Sequence, residues 1–137
     1  HHVLVYATGI REGGKGDGRL LGTLGVYFDW QNQGHSIVEK EANLPAQQVD
    51  RTTVMLLDEK ARVIACNRAD RLFTHFALRV DGGQQKGCYY NDQGAIVAYA
   101  RTLGYEDYDG LGWYGVVVQE TESDDAIRSQ LDLRTPR

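Results

Sequence analysis

Alternation of apolar and polar positions is the first order visible along the chain. Residues 3–8 (VLVYAT) and 20–29 (LLGTLGVYFD) read as two β-strands rich in branched and aromatic side chains. The connector IREGGKGDGR is dense in glycine and charge, which suits an exposed hairpin loop. Its GGKGDG lacks the Gly-Lys-Ser/Thr ending of a phosphate-cradling loop and leads into a strand instead of a helix, so it is read as a loop alone. Asp29 is placed to cap a following helix with Ile37, Val38 and Glu41 in register, and Pro45 with the polar AQQVDR ends it. Residues 43–51 are the expected domain boundary.

Beyond that boundary the pattern changes. Residues 52–57 (TTVMLL) and 61–66 (ARVIAC) are β-rich and joined by the short turn DEK. Leu72, Phe73, Phe76, Ala77 and Val80 then fall at offsets 0, 1, 4, 5 and 8, which predicts a helix with one apolar stripe and Arg71, His75 and Arg79 on its other face. Asp81-Gly82-Gly83 is its expected stop. Three more strands fit residues 87–90, 95–101 and 113–119, the first two joined by the turn Asn91-Asp92-Gln93-Gly94. Gly110 and Gly112 form a turn into the last strand, headed by Trp113 as the expected packing anchor. The tail 121–137 is polar, with Ser123 placed to cap a short exit helix.

The fold class is therefore α+β. An antiparallel sheet in the order β-β-α-β-β-β has its helix laid across one face, and a hairpin and helix precede it. Three segments follow: 1–43 as hairpin and helix, 44–120 as the core, and 121–137 as a polar C-terminal segment.

Charge and composition narrow the function. Among 137 residues, 15 Lys and Arg stand against 19 Asp and Glu, a net charge of −4 scattered without blocks, so no basic stripe offers a nucleic-acid surface. No apolar run approaches the roughly 20 residues that span a bilayer. Cys66 and Cys88 are too few and too far apart for a zinc site and read as small buried hydrophobes, with a disulfide left open. His35 and His75 lie in polar helical surroundings without a nucleophile partner, and Glu106, Asp107 and Asp109 lack the ligand spacing of a calcium loop. The sequence thus predicts no catalytic residue, no metal and no cofactor, hence a protein that is not an enzyme.

Binding chemistry concentrates in the last third. Alternation along residues 95–101 places Val97, Tyr99 and Arg101 on one face and Ile96, Ala98 and Ala100 on the other. A planar guanidinium grips both oxygens of a carboxylate, so Arg101 beside Tyr99 is a candidate anion clamp, against the simpler reading of a solvated strand end. Tyr89, Tyr90 and Tyr105, with Tyr108, are the candidate pocket rim, since tyrosine combines apolar bulk with one hydrogen-bonding tip. Core packing is the alternative for each.

Three stretches carry a family resemblance over roughly residues 3–120. LLGTLGVYFDWQNQGHSIV resembles the strand-then-helix segment that ends one sensor module in bacterial receptors. TTVMLLDEKARVIACN resembles the opening hairpin of a PAS-like core, with Lys60 or Ala61 where a glycine is usual. AIVAYARTLGYEDYDGLGWYGVVVQ is similar to the closing strands of Cache-type sensor domains of methyl-accepting chemotaxis receptors and of some diguanylate cyclases and histidine kinases. The resemblance implies a ligand-sensing input domain of a membrane-associated receptor. Its small-molecule pocket would lie between sheet and overlying segments, on the periplasmic side, with the output domain outside this chain. It also implies that residues 1–43 are the tail of a preceding PAS-like module. The alternative is a PAS- or GAF-like module that mediates homodimerisation, with its cavity filled by side chains.

Overall fold

The two regions of alternation become two separate antiparallel sheets in the computed structural model, which describes residues 1–134. The chain divides into compact units, His1–Gly34 and a second beginning at His35.

In the first unit, β1 (Val3–Arg11) pairs with β2 (Leu20–Asp29). The pairs Leu4↔Phe28, Tyr6↔Val26 and Thr8↔Leu24 place these side chains on one face, since directly opposed residues of a ladder point the same way. Tyr6 and Phe28 meet edge to face at 5.9 Å. The connecting loop turns on Gly13 and Gly14, both at positive φ. As expected, Asp29 accepts a bond from the Asn32 amide, at 3.5 Å, where α1 (Trp30–Ser36) begins.

In the second unit, helical winding widens to a π-turn over Ile37–Glu41, which buries Val38 and packs on the first strand of the main sheet. That sheet comprises β3 (Thr52–Leu57), β4 (Val63–Cys66), β5 (Lys86–Tyr90), β6 (Ile96–Arg101) and β7 (Tyr114–Gln119) in the spatial order β4-β3-β7-β6-β5. Every pairing is antiparallel, as the alternating pattern predicts. One row of directly opposed residues crosses all five strands: Cys66, Met55, Val116, Tyr99 and Gly87. Its neighbours on the same face include Leu57 and Val97, and these buried side chains form the core. Ser123 caps α2 (Asp124–Arg134) through the Ala126 amide, at 3.3 Å, as expected.

The helix predicted over residues 72–80 is absent. A single 3-10 turn at Ala69–Arg71 gives way to extended chain, in which Phe73 takes a φ of +63° that no right-handed helix tolerates. The segment bonds to the β4 edge: the Phe73 amide donates to Val63 O (2.8 Å), Val63 to Thr74 O (2.9 Å), and Phe76 to Ala61 O (2.9 Å). Leu72, Phe76, Leu78 and Val80 pack on the core, whereas Phe73, expected there too, is exposed. Asp81-Gly82-Gly83 closes a turn, with the Gln84 amide on Asp81 O at 3.1 Å, and caps no helix. Trp113 is also corrected: it precedes β7, is half-buried and stands outside the core cluster.

The β3–β4 turn shows what sets its shape. Asp58 Oδ1 accepts the amides of Lys60 and Arg62, each at 2.9 Å, and Oδ2 accepts Arg62 Nε at 3.1 Å. Burial acts to raise the Asp58 pKa, but the two amide bonds and the Arg62 side chain together outweigh it and hold the carboxyl below its ordinary value. Ala61 occupies the left-handed position at φ +59°, so it is Ala61 that replaces the usual glycine.

Two outcomes are expected. Ala61→Gly relieves a left-handed L-residue and raises stability by about 0.5–1 kcal/mol, read from urea midpoints at unchanged slope. Asp58→Ala lowers it by about 1–3 kcal/mol, because a buried acceptor of three bonds is lost. Since the folded pKa lies below the unfolded one, the Asp58 contribution is complete above roughly pH 4 and fades as pH falls through the folded value. Asp58→Asn therefore flattens the acid limb of the stability profile, and an unchanged limb contradicts the assignment.

Candidate functional site

The covered face of the main sheet collects most of the polar candidates. β6 alternates as expected: Val97 and Tyr99 are buried, Arg101 is half-buried, and Ile96 and Ala100 are exposed. Tyr99, at 6% exposure, lies opposite Gly87, where an added Cβ would sit 2.8 Å from its hydroxyl. The ring leans over a strand position that only glycine leaves open. Tyr89 lies 6.4 Å from the Tyr99 ring and Tyr114 lies 6.1 Å from it, giving three tyrosines in series on one face.

Arg101 ends this series, directly opposite Tyr114. A Cβ added to Gly112, which holds φ +71°, would lie 3.7 Å from Arg101 Nη2 and 3.5 Å from Glu59 Cβ. The guanidinium therefore sits against the glycine turn that leads into β7. Among the described residues no carboxylate forms an ion pair with it. A half-buried guanidinium with its fork unclaimed is suited to a carboxylate or another planar oxyanion.

The structure therefore brings Tyr89, Tyr99 and Arg101 to one face and leaves two candidates elsewhere. Tyr90 points to the opposite face, paired with Ile96 and 68% exposed. Tyr105, 76% exposed, belongs to a tight turn in which Tyr105 and Tyr108 exchange both backbone bonds, at 2.8 and 3.0 Å. Sequence reasoning missed Tyr114 and Arg79. Tyr114 was legible from its two-residue spacing to Val116 and Val118. Arg79 was assigned to a helix surface, yet its guanidinium stacks 4.4 Å from the Tyr89 ring centre and donates to Tyr90 O at 3.0 Å. Its backbone amide also donates to the Tyr89 hydroxyl, at 3.2 Å. These bonds tie the extended strap 72–80 to β5.

The strap's apolar side chains pack on the covered face, so its polar opportunity is confined to the Arg101 end. Two pockets lie away from it. One of about 300 Å³ is lined by Val38, Glu39, Leu44, Val49 and Asn67. The other, about 400 Å³, borders the first unit's hairpin loop at Thr8, Gly9, Arg11, Gly14, Lys15 and Gly16.

The cysteines do not meet. Cys66 lies on edge strand β4 and shares the row of Met55, whereas Cys88 lies on the opposite edge β5, exposed and paired with Ala98 on the other face. Four strand spacings separate those edges, about 19 Å, far beyond disulfide reach. Burial pushes the Cys66 thiol up, and the Arg68 amide that donates to it offsets only part of this. The expected burial of both thiols thus holds for Cys66 alone.

No family model and no curated protein matches the chain. Solved structures resemble its fold. The ligand-binding domain of the Pseudomonas aeruginosa PAO1 amino acid chemoreceptor PctC, in complex with GABA, aligns at 15% identity and a TM-score of 0.56, covering 86% of this chain and 49% of that one. That of PctB from the same organism aligns with L-Arg bound (15% identity, TM-score 0.55, 98% of this chain and 50% of that). It also aligns with L-Gln bound (13% identity, TM-score 0.55, 98% and 54%). This chain thus spans about half the length of these domains, and the likeness shows an α+β fold with antiparallel sheets.

In the folded protein one thiol is expected to react with a water-soluble disulfide reagent, and both in denaturant. Cys88→Ser should remove the fast reaction. Fast labelling at Cys66, or an intramolecular Cys66–Cys88 bond under oxidation, contradicts the placement.

Proposed function

We propose that the chain is part of the ligand-sensing input region of a bacterial chemoreceptor or a related signalling protein, and not an enzyme. The observation that carries this reading is the shared fold with ligand-binding domains solved in complex with L-Arg, L-Gln and GABA. The ligand class is a small metabolite bearing a carboxylate, an amino acid or a short organic acid. Arg101 clamps the carboxylate, Tyr99 and Tyr89 supply the neighbouring wall, and Tyr90 and Tyr105 take no direct part. Support comes from the unclaimed guanidinium beside Gly112 and from the shared face of Tyr99 and Arg101.

In the same reading, residues 1–43 close a preceding PAS-like module. The apolar row of Leu4, Tyr6, Phe28 and Val26 supports this, because a two-stranded hairpin is marginal alone and calls for a covering layer. The sensor faces the periplasm and the output domain lies outside this chain; among the described residues no helix is long and apolar enough to cross a membrane. Ligand preference for one arrangement of the sheet end would bias the downstream element.

A dimerising module is the second reading, favoured by the side chains that fill the covered face and by the exposed Tyr90, Ile96 and Val117 on the other. A thermal-shift screen across amino acids and short organic acids separates the two. A ligand held at about 100 times its Kd contributes about 2.7 kcal/mol of stability. Arg101→Ala is expected to remove that shift and leave the unliganded melting temperature nearly unchanged. No shift with any acid, together with concentration-dependent dimerisation, overturns sensing in favour of the second reading.

A further inference from the structure

The pocket behind β3 is built differently from the Arg101 end. Val38 and Glu39 reach it from the π-turn Ile37–Glu41, Leu44 and Val49 from the connecting segment, and Asn67 from the end of β4. Three observations converge on it.

First, Asn67 is fixed. Its Oδ1 accepts the Val54 amide at 2.9 Å and its Nδ2 donates to Thr52 O at 3.0 Å, so it holds the stretch of β3 that runs on past its last pair with β4. Second, the lining helical segment is π-wound, a geometry that widens one turn, costs stability and recurs at functional sites. Third, Thr52, whose carbonyl Asn67 holds, adjoins this wall without lining the pocket; it is 2% exposed, and among the described residues its hydroxyl has no hydrogen-bond partner. A buried hydroxyl left unsatisfied is rare and marks strain or function.

The lining defines the chemistry. Among the described lining residues, Val38, Leu44 and Val49 are aliphatic and Glu39 alone is charged. His35 Nε2 engages Glu39 Oε2 at 3.0 Å, which leaves Oε1 for a further donor. Arg68 is committed to Thr53 Oγ1 and Asp50 O, and Arg51 to Glu122, so neither pairs with Glu39. A volume of about 300 Å³ stands at the small end of ligand sites.

We propose that this pocket is a second small-molecule site, separate from Arg101, that takes a short branched alkylammonium: the cationic head at Glu39 and the aliphatic tail among Val38, Leu44 and Val49.

The test is an amide-resolved NMR titration of the full chain with isobutylammonium, isobutanol and isobutyrate. Saturable shifts at Val38, Val49 and Asn67 are expected with the ammonium, at higher affinity than with the alcohol or the carboxylate. Glu39→Gln should weaken its binding by about two- to fivefold, the range an exposed charge pair supports. Val49→Trp, at an exposed position, should fill the pocket and abolish the shifts while the remaining spectrum is kept. Arg101→Ala should leave them intact, so that failure of the acid-sensing reading and failure of this site are read from different variants. Non-saturating shifts, equal binding of the alcohol or the carboxylate, or indifference to both Glu39→Gln and Val49→Trp overturns the proposal.

Discussion

The cross-strand row Cys66, Met55, Val116, Tyr99 and Gly87 is the constraint on which the rest of the second unit depends. Four of its members pack side chains into the core, and the fifth withholds one. A ring as large as that of Tyr99 has to spend its length somewhere, and it does so over the glycine of the edge strand, where any Cβ would strike it. An aromatic laid over a strand glycine covers exposed backbone and ties the register of the pair. A slip of one residue would turn Tyr99, Val97 and Arg101 to the other face together, so register, core and binding chemistry are set by one choice.

Arg101 inherits its position from that row. Two residues beyond Tyr99, it emerges on the same face where the core thins out, against Gly112 and without a carboxylate partner among the described residues. The face inward of it is filled by Leu72, Phe76, Leu78 and Val80, which hold the strap down while Arg79 fastens it to Tyr89 and Tyr90. A filled, close-packed face resists small displacements, whereas the end beside Gly110 and Gly112 is made of backbone that side chains restrain least. In a sensing role the responsive part is accordingly the end of the sheet. The opposite face of β3 carries a different chemistry, aliphatic with one carboxylate. One sheet thus carries a half-buried guanidinium at one end and an aliphatic pocket bearing a carboxylate behind β3.

What the sequence determined by itself is local. Alternation located the strands, because each places one face in the core and period two survives any arrangement of neighbours. The Asn91 turn was legible for a similar reason: its side chain accepts the Gln93 and Ala95 amides, at 3.0 and 2.9 Å, within five residues. Asp29 and Ser123 likewise act on amides three residues away. For the candidate site, the phase of β6 predicted the shared face of Tyr99 and Arg101. Nothing local told Tyr89 from Tyr90, since that choice depends on which residue of β6 each one opposes.

Tertiary structure decided the segment 72–80. Leu72, Phe76 and Val80 fit a helical stripe, while Leu72, Thr74, Phe76, Leu78 and Val80 fit alternation equally well apart from the threonine. The free edge of β4 settled it, since a helix would have satisfied its own amides and left Val63 and Ala61 unpaired. Laid extended along that edge, the segment satisfies those groups and still turns four apolar side chains onto the core. Burial and hydrogen bonding agree only in that conformation, and the strand edge that makes them agree is absent from any local window of sequence.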